Sequence, residues 1–326
     1  MLEIFEGYPI GGCLPDEPGT SFPVLSKVGE ITRPPSVDLR AQCSPVENQQ
    51  KIGSCVANAV VGALEYHQIR AGRELRDLSR LFVYYNARKL AGRLGEPGCS
   101  RRIALASVLG WGVCPEAMWP YQEALVEEEP GRDCYKAAEN FRAVEFAELE
   151  HGDPVKDALA SGLPVVFGMA TPKRMMAIDA RHSGQMKPPA NGQWEGANSG
   201  HAMLLVGYDD RENAFLVRNS WGADWGLEGH VWIDYAVLDH YTRAPVYPNA
   251  PKPFAVGNTA EHRAYQVSGP SADQFLQAAA QTVAPALQAE LQTARQSAAS
   301  ALEDHLSKAK QSIRDRLRGP GAGGGY

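Results

Sequence analysis

The spacing of apolar positions changes character near the middle of the chain. In the first half it is helical. Val56, Val60, Ala63, Leu64 and His67 recur every three or four residues, which predicts a helix from Cys55 to about Arg70, apolar on most sides and ending near Gly72. Ser79 to Lys89 predicts a second helix, capped at Leu78-Ser79, and Ile103 to Gly112 a third, closed by Gly110 and Gly112. Cys114-Pro115-Glu116 and Trp119-Pro120-Tyr121 read as turns. In the second half the apolar runs are short and strand-sized: 163–169, 202–208, 214–218 and 229–233, with Asp209-Asp210-Arg211-Glu212-Asn213 as a hairpin turn. A long loop over 171–200 precedes the second of these strands, and a loop of that length in a compact domain is usually functional or mobile.

The ends of the chain follow neither pattern. Residues 1–34 are rich in Gly and Pro and show no sustained period, so they read as an irregular extended segment. Residues 36–49 are extended, with Val37-Asp38-Leu39 as a short strand candidate. Residues 251–270 read as a linker and 271–318 as an amphipathic helical region. Within it Leu287, Leu291, Ala294, Ala298, Leu302, Leu306, Ala309, Ile313 and Leu317 step by three or four after Pro285. Residues 319–326, bounded by Gly319-Pro320, read as a disordered tail. The helical region is either a solvated stabiliser or a surface for self-association or partner docking.

Composition narrows the function class. With 326 residues the chain has bulk for a real core, and its formal net charge of −6 argues against nucleic acid as the main partner. No apolar run reaches the length of a membrane span. The N-terminus lacks the basic start and apolar stretch of a secretory signal, so the default expectation is a cytoplasmic protein, or one exported by a non-classical route. Cys13, Cys43, Cys55, Cys99, Cys114 and Cys134 form no C-x-x-C pair and no zinc spacing, so neither metal nor cofactor is expected. Cys43 with Cys114 is a candidate bridge, but free thiols are the default in a reducing compartment.

The candidate chemistry begins at Cys55. It follows a Gly53-Ser54 turn and opens the first helix, where unpaired N–H groups and the helix dipole favour a thiolate. A thiolate needs a base, and the base needs an orienting group. His201 starts a buried strand. Asn219 follows the next strand in a hairpin and can lie beside it, with Trp221 covering their hydrogen bond. Each alone has a structural reading: a buried cysteine, a strand-end histidine, a turn asparagine. His67, inside a helical series, reads as a satisfied, half-buried histidine.

Together these residues resemble the papain-like cysteine peptidases. The matching pieces are Gln49 six residues before Cys55, Gly53-Ser54-Cys55, Gly200-His201-Ala202, Gly207-Tyr208, and Asn219-Ser220-Trp221-Gly222-Ala223-Asp224-Trp225-Gly226 followed by Gly229. They span about residues 36–236, and Cys43-Ser44-Pro45-Val46-Glu47 with Trp119-Pro120-Tyr121 look more like the bacterial branch. The resemblance implies an α+β, two-lobed fold over 35–250. Its left lobe would be helical, at about 50–145, and its right lobe antiparallel and barrel-like, at about 150–250, with the active site in the cleft between. It implies a thiol peptidase, by default an endopeptidase acting on protein or peptide through an acyl-enzyme. Cys55 would be the nucleophile, His201 the acid and base, Asn219 its orienter, and the Gln49 amide with the Cys55 N–H the oxyanion hole.

The sequence also departs from the family. Ile52 stands where a cysteine is usual and Val56 where an aromatic is usual. No long inhibitory segment precedes the match, so residues 1–34 are expected to lie across the cleft as a short propeptide or lid. Gly53 would border the cleft. Gly168, Ser199 and Gly200 would line the pocket for the second residue before the cut, and being small they imply a roomy, uncharged pocket. Two competing readings are a catalytically silent scaffold acting through the C-terminal helix and a transpeptidase or deamidase.

Overall fold

A computed structural model describes residues 2–16, 24–27, 31–141, 146–247, 250–257 and 265–268. The helical region expected over 271–318 and the tail after it lie outside the described residues.

In chain order the strands are β1 (Glu3–Phe5), β2 (Tyr8–Ile10), β3 (Cys13–Leu14), β4 (Val24–Lys27), β5 (Ser36–Asp38), β6 (Cys99–Ser100) and β7 (Phe146–Glu148). There follow β8 (Val165–Ala170), β9 (Gln185–Met186), β10 (Gly200–Asp209), β11 (Ala214–Arg218), β12 (His230–Asp234), β13 (Phe254–Val256) and β14 (Tyr265–Ser268). The helices are α1 (Cys55–Arg70), α2 (Arg80–Leu90), α3 (Arg101–Trp111), α4 (Arg132–Ala138), α5 (Asp153–Ala160), α6 (Arg181–Ser183) and α7 (Tyr235–Thr242).

Helix α1 is buried along nearly its whole length, from Cys55 to Tyr66, because small and apolar residues surround its axis and leave no polar stripe to face water. It packs on α2 and α3 on one side and on β10 on the other. The flanking helices start as their sequences predict. Ser79 caps α2 by accepting from the Phe82 amide, and Ser100 caps α3 by accepting from the Ile103 amide. Such a cap stabilises a helix by about 1 kcal/mol.

The large sheet runs in the order β14-β4-β7-β13-β8-β10-β11-β12-β9, with β5 also paired to β10. Its central ladders are antiparallel, and β10, the strand predicted at 202–208, is buried from Gly200 to Tyr208. Burial on both faces explains its continuous apolar sequence. The register sets Gly200 opposite Ala170, His201 opposite Met169 and Ala202 opposite Gly168.

Three stretches differ from the sequence expectation. The supposed linker 251–270 contains β13, fully buried between β7 and β8, and β14, paired with β4. A three-residue strand completed by tertiary pairing leaves no periodicity to read. The loop at 171–200 contains a π-helical turn over Met175–Ala180, α6 and β9. The N-terminal segment, read as irregular, forms the β1–β2 hairpin and then pairs β3 with β6 in parallel.

Candidate active site

Cys55 is the first residue of α1, so its own N–H has no acceptor within the helix. The Ser54 hydroxyl, one residue earlier, is turned away to the Tyr121 hydroxyl at 2.5 Å, and Asn58 Nδ2 donates to both Ser54 O and Ser54 Oγ at 3.0 Å. These bonds fix the turn that delivers the sulfur. A backbone N–H of Ala202, the residue after His201, points at Cys55.

His201 and Asn219 meet because β10 and β11 are antiparallel neighbours, so the start of one strand and the end of the other share a sheet edge. His201 Nε2 lies 2.8 Å from Asn219 Oδ1. An amide oxygen only accepts, so Nε2 carries the proton, and in the neutral ring Nδ1 presents a lone pair. Nδ1 is buried with no hydrogen-bond partner among the described residues. Asn219 Oδ1 also accepts from the Ser220 amide at 2.8 Å, which holds the side chain in place. The Trp221 ring covers the pair, its centroid 4.9 Å from that of His201, and Trp225 meets Trp221 edge-on at 5.4 Å.

Gln49 is buried beside this group. Its Oε1 accepts from Ser220 Oγ at 2.6 Å, and its Nε2 donates to the Ile52 carbonyl at 2.9 Å. The second Nε2 hydrogen remains for another acceptor. His67 is satisfied, with Nε2 2.6 Å from the Val256 carbonyl, as a half-buried helical histidine should be.

The cleft is filled by the chain's own N-terminal segment. Tyr8 stacks on Trp221 at 4.8 Å with the rings 24° apart, and the Arg181 guanidinium lies 5.4 Å above the Tyr8 ring. Ile10 is fully buried. The Gly11 carbonyl oxygen stands 3.9 Å from Cys55 Sγ. Gly12 adopts φ +106, and a Cβ there would stand 2.7 Å from the Gly53 carbonyl oxygen, so only glycine allows the segment this close. The Gly12 carbonyl accepts from the Cys99 amide at 3.0 Å. Asp16 then pairs with Arg101 and accepts from the Arg102 amide at 3.2 Å.

This cover reverses the charge state expected of Cys55 at a helix start. Cys55 and His201 are both 0% exposed. Burial pushes the Cys55 thiol well above its ordinary value, with the nearby Cys13 sulfur adding to the shift and the Ala202 N–H opposing it. Burial also lowers His201 to about 4, against the Asn219 bond that favours its cation. Desolvation thus favours the neutral thiol and the neutral imidazole while the site is covered.

Of the pocket residues, Gly168 and Gly200 are brought together, but the space they leave is neither empty nor uncharged. A Cβ on Gly168 would stand 2.9 Å from Cys13 Sγ, 3.4 Å from Arg101 Nη1 and 3.4 Å from the Tyr247 hydroxyl. A Cβ on Gly200 would overlap the Tyr247 hydroxyl and the Cys13 carbonyl. Ser199 is half-buried and lends its carbonyl to the Thr171 amide at 2.8 Å. Sequence reasoning missed Cys13, Asp16, Arg101 and Tyr247. The Gly11-Gly12 pair was the one local sign that this part of the chain approaches other backbone. All six cysteines, Cys43 and Cys114 among them, are free.

Comparison with known proteins agrees with this geometry. A family described as papain family cysteine protease matches residues 33–244. An uncharacterised peptidase C1-like protein of Acanthamoeba polyphaga mimivirus is 32% identical over 199 residues, covering 58% of this chain and 63% of its own. A cathepsin L-like peptidase of Aedes aegypti is 30% identical over 218 residues, covering 61% of this chain and 58% of its own. The chain thus spans about three-fifths of the length of these curated relatives. Xylellain, a cysteine protease from Xylella fastidiosa, superposes with a TM-score of 0.64 at 29% identity, over 77% of this chain and 95% of that one. With a family match that covers residues 33–244, well over half of the chain, the chain belongs to the papain family of cysteine proteases.

Proposed function

We propose that the protein is a thiol peptidase that hydrolyses peptide bonds at Cys55 and is held inactive by residues 2–16 lying in its own cleft. The observation that carries the reading is the buried His201–Asn219 pair, whose unpartnered Nδ1 is free to take a thiol proton. When the segment leaves, water returns and desolvation of the pair is relieved. The Cys55 proton then passes to His201 Nδ1, and the thiolate forms at the helix start.

The thiolate attacks the substrate carbonyl carbon, and the oxyanion takes the Cys55 N–H and the spare Gln49 Nε2 hydrogen. As the intermediate collapses, the C–N bond breaks and His201 returns the proton to the leaving amine, leaving a thioester on Cys55. His201 next takes a proton from water, the hydroxide attacks the thioester, and the carboxylic product and the thiol are released. Asn219 keeps the ring in the tautomer that serves both steps.

The covering segment is not presented to this machinery as a substrate. Gly11 turns its carbonyl oxygen, not its carbon, toward the sulfur, and Gln49 Nε2 is bonded to Ile52 instead of to that oxygen. Cleavage within a chain, rather than at its ends, fits a cleft that holds extended backbone on both sides of Cys55, from Tyr8 at Trp221 to Asp16 at Arg101. We also place the chain with the bacterial branch of the family, a reading favoured by the 95% coverage of the Xylella enzyme.

The test is intact-protein mass after incubation with the epoxide E-64, for wild type and Cys55→Ala, alongside turnover of fluorogenic dipeptides. One adduct and turnover in wild type, both lost in Cys55→Ala, are expected. No adduct on the wild type or on a variant with the segment loosened, such as Tyr8→Ala, would sink the enzyme reading in favour of a silent scaffold. Product masses separate hydrolysis from transfer to an amine.

A further inference from the structure

Arg101 opens α3 and is 0% exposed, yet it is tied to the body of the protein by little. Nη1 donates to the Lys252 carbonyl at 3.3 Å, the guanidinium lies 5.7 Å from the Phe254 ring, and Nε has no partner among the described residues. Its one ion-pair partner among the described residues is Asp16, which belongs to the covering segment. A fully buried guanidinium whose carboxylate can leave with a displaceable strand is an anion site waiting to be refilled, because an uncompensated buried charge is costly.

The position of this cation relative to the chemistry is set by the segment itself. The Gly11 carbonyl faces Cys55, and Cys13, two residues on, puts its thiol into the space left by the missing Gly168 side chain. That same space is bordered by Arg101 Nη1 and the Tyr247 hydroxyl. Cys13 is short and stops above them. Remove the segment, and what remains is a pocket with glycine walls at 168 and 200, a phenol hydroxyl, and a cation at its floor.

We propose that this pocket selects substrates with an acidic side chain, aspartate or glutamate, at the second residue before the cut, with Arg101 and Tyr247 as the residues that determine the choice. The inference rests on the peptidase reading above. A substrate carboxylate replaces that of Asp16 on Arg101 and accepts from the Tyr247 hydroxyl. A planar guanidinium with free N–H groups suits a carboxylate better than any neutral group. Apolar side chains in the same place leave Arg101 unpaired.

The experiment uses the full chain, as wild type and as Asp16→Asn, which loosens the segment and frees the guanidinium. A set of fluorogenic dipeptides is varied only at the second residue before the cut, as Glu, Asp, Gln, Leu, Phe or Lys, and kcat/KM is measured for each. Glu or Asp is expected to exceed both Gln and Leu by about 10-fold or more, the typical worth of a charge-assisted bond in a buried site. Arg101→Met should invert the order in favour of Leu, while Arg101→Lys keeps a weakened acidic preference. If the Arg101 variants do not fold, Tyr247→Phe tests the same floor and should cut the Glu-over-Leu ratio several-fold. Cys55-dependent turnover with Leu or Phe preferred in wild type and in Asp16→Asn would overturn the inference alone, as would an acidic preference that survives Arg101→Met. No turnover of any peptide and no E-64 adduct in either protein would instead bring down the peptidase reading, and this inference with it.

Discussion

The Gly11 carbonyl oxygen lies 3.9 Å from Cys55 Sγ, so the chain's own backbone occupies the place where a substrate carbonyl would react. The contact depends on the next residue, since Gly12 at φ +106 has the Gly53 carbonyl 2.7 Å from where a Cβ would be. Gly12→Val combines backbone strain with steric overlap, each on the order of 1–3 kcal/mol. The expected result is E-64 labelling of Cys55 faster by about 10-fold or more. An unchanged labelling rate would mean that the segment leaves the cleft freely in solution.

Tyr8 on Trp221 is the other anchor of the segment. A stacked aromatic pair contributes about 0.5–1.5 kcal/mol beyond its buried area. Tyr8→Ala should therefore raise the labelling rate by roughly 2- to 10-fold. It should also expose the ultraviolet absorbance of a thiolate, weak in the covered wild type, where burial pushes the Cys55 thiol up. Opening transfers the proton from Cys55 to His201 within the protein, so the gain should be nearly independent of pH around neutrality. A steep pH dependence there would show that opening takes up or releases protons elsewhere.

Gln49 and Asn219 should separate by kinetic signature. Gln49→Ala removes a donor to the oxyanion and should lower kcat by about 10²- to 10³-fold with little change in KM. Asn219→Ala leaves His201 without its acceptor and should lower the rate by about 10-fold or more, with a shifted pH profile. Matching profiles for the two variants would argue against distinct roles. Peptide turnover against pH, measured on protein with the segment loosened, is the check.

Away from the cleft, Glu65 offers a pH test of stability. It is buried, accepts from the Leu78 amide at 2.9 Å, and has its pKa pushed up to about 7 by burial, against the bond from Ser44 that favours the anion. The folded state therefore holds its proton more tightly than the unfolded chain, whose value is 4.5. Stability contributed by the neutral acid is present below 4.5 and is lost as pH rises through 7, by about 3 kcal/mol at most. Glu65→Gln should flatten this fall, raising Tm relative to wild type at pH 8 and leaving it nearly equal at pH 4. An equal Tm difference at both values would assign the effect to packing instead.

Much of the architecture was legible because it is local. The period of three to four after Cys55 marks a helix whoever its neighbours are, and Ser79 reads as a cap because an N-cap needs only its own backbone. The His201–Asn219 meeting was legible too, since a hairpin between two adjacent strands fixes which ends lie together. What escaped were the strands with little local signal. Phe254–Val256 is three residues long and becomes a strand through β7 and β8, and Cys13–Leu14 becomes one through Cys99–Ser100.

The sequence by itself determined which candidate groups the chain carries, their order and the elements that hold them, because side-chain identity and short-range periodicity are properties of neighbours along the chain. Tertiary structure decided how those groups behave. Only the packed chain places Asp16 on Arg101, 85 residues away, and Gly11 over Cys55, 44 residues away. Once there, they exclude water, and desolvation, a property of everything surrounding a group in space, pushes the Cys55 thiol up and works against the thiolate expected at a helix start.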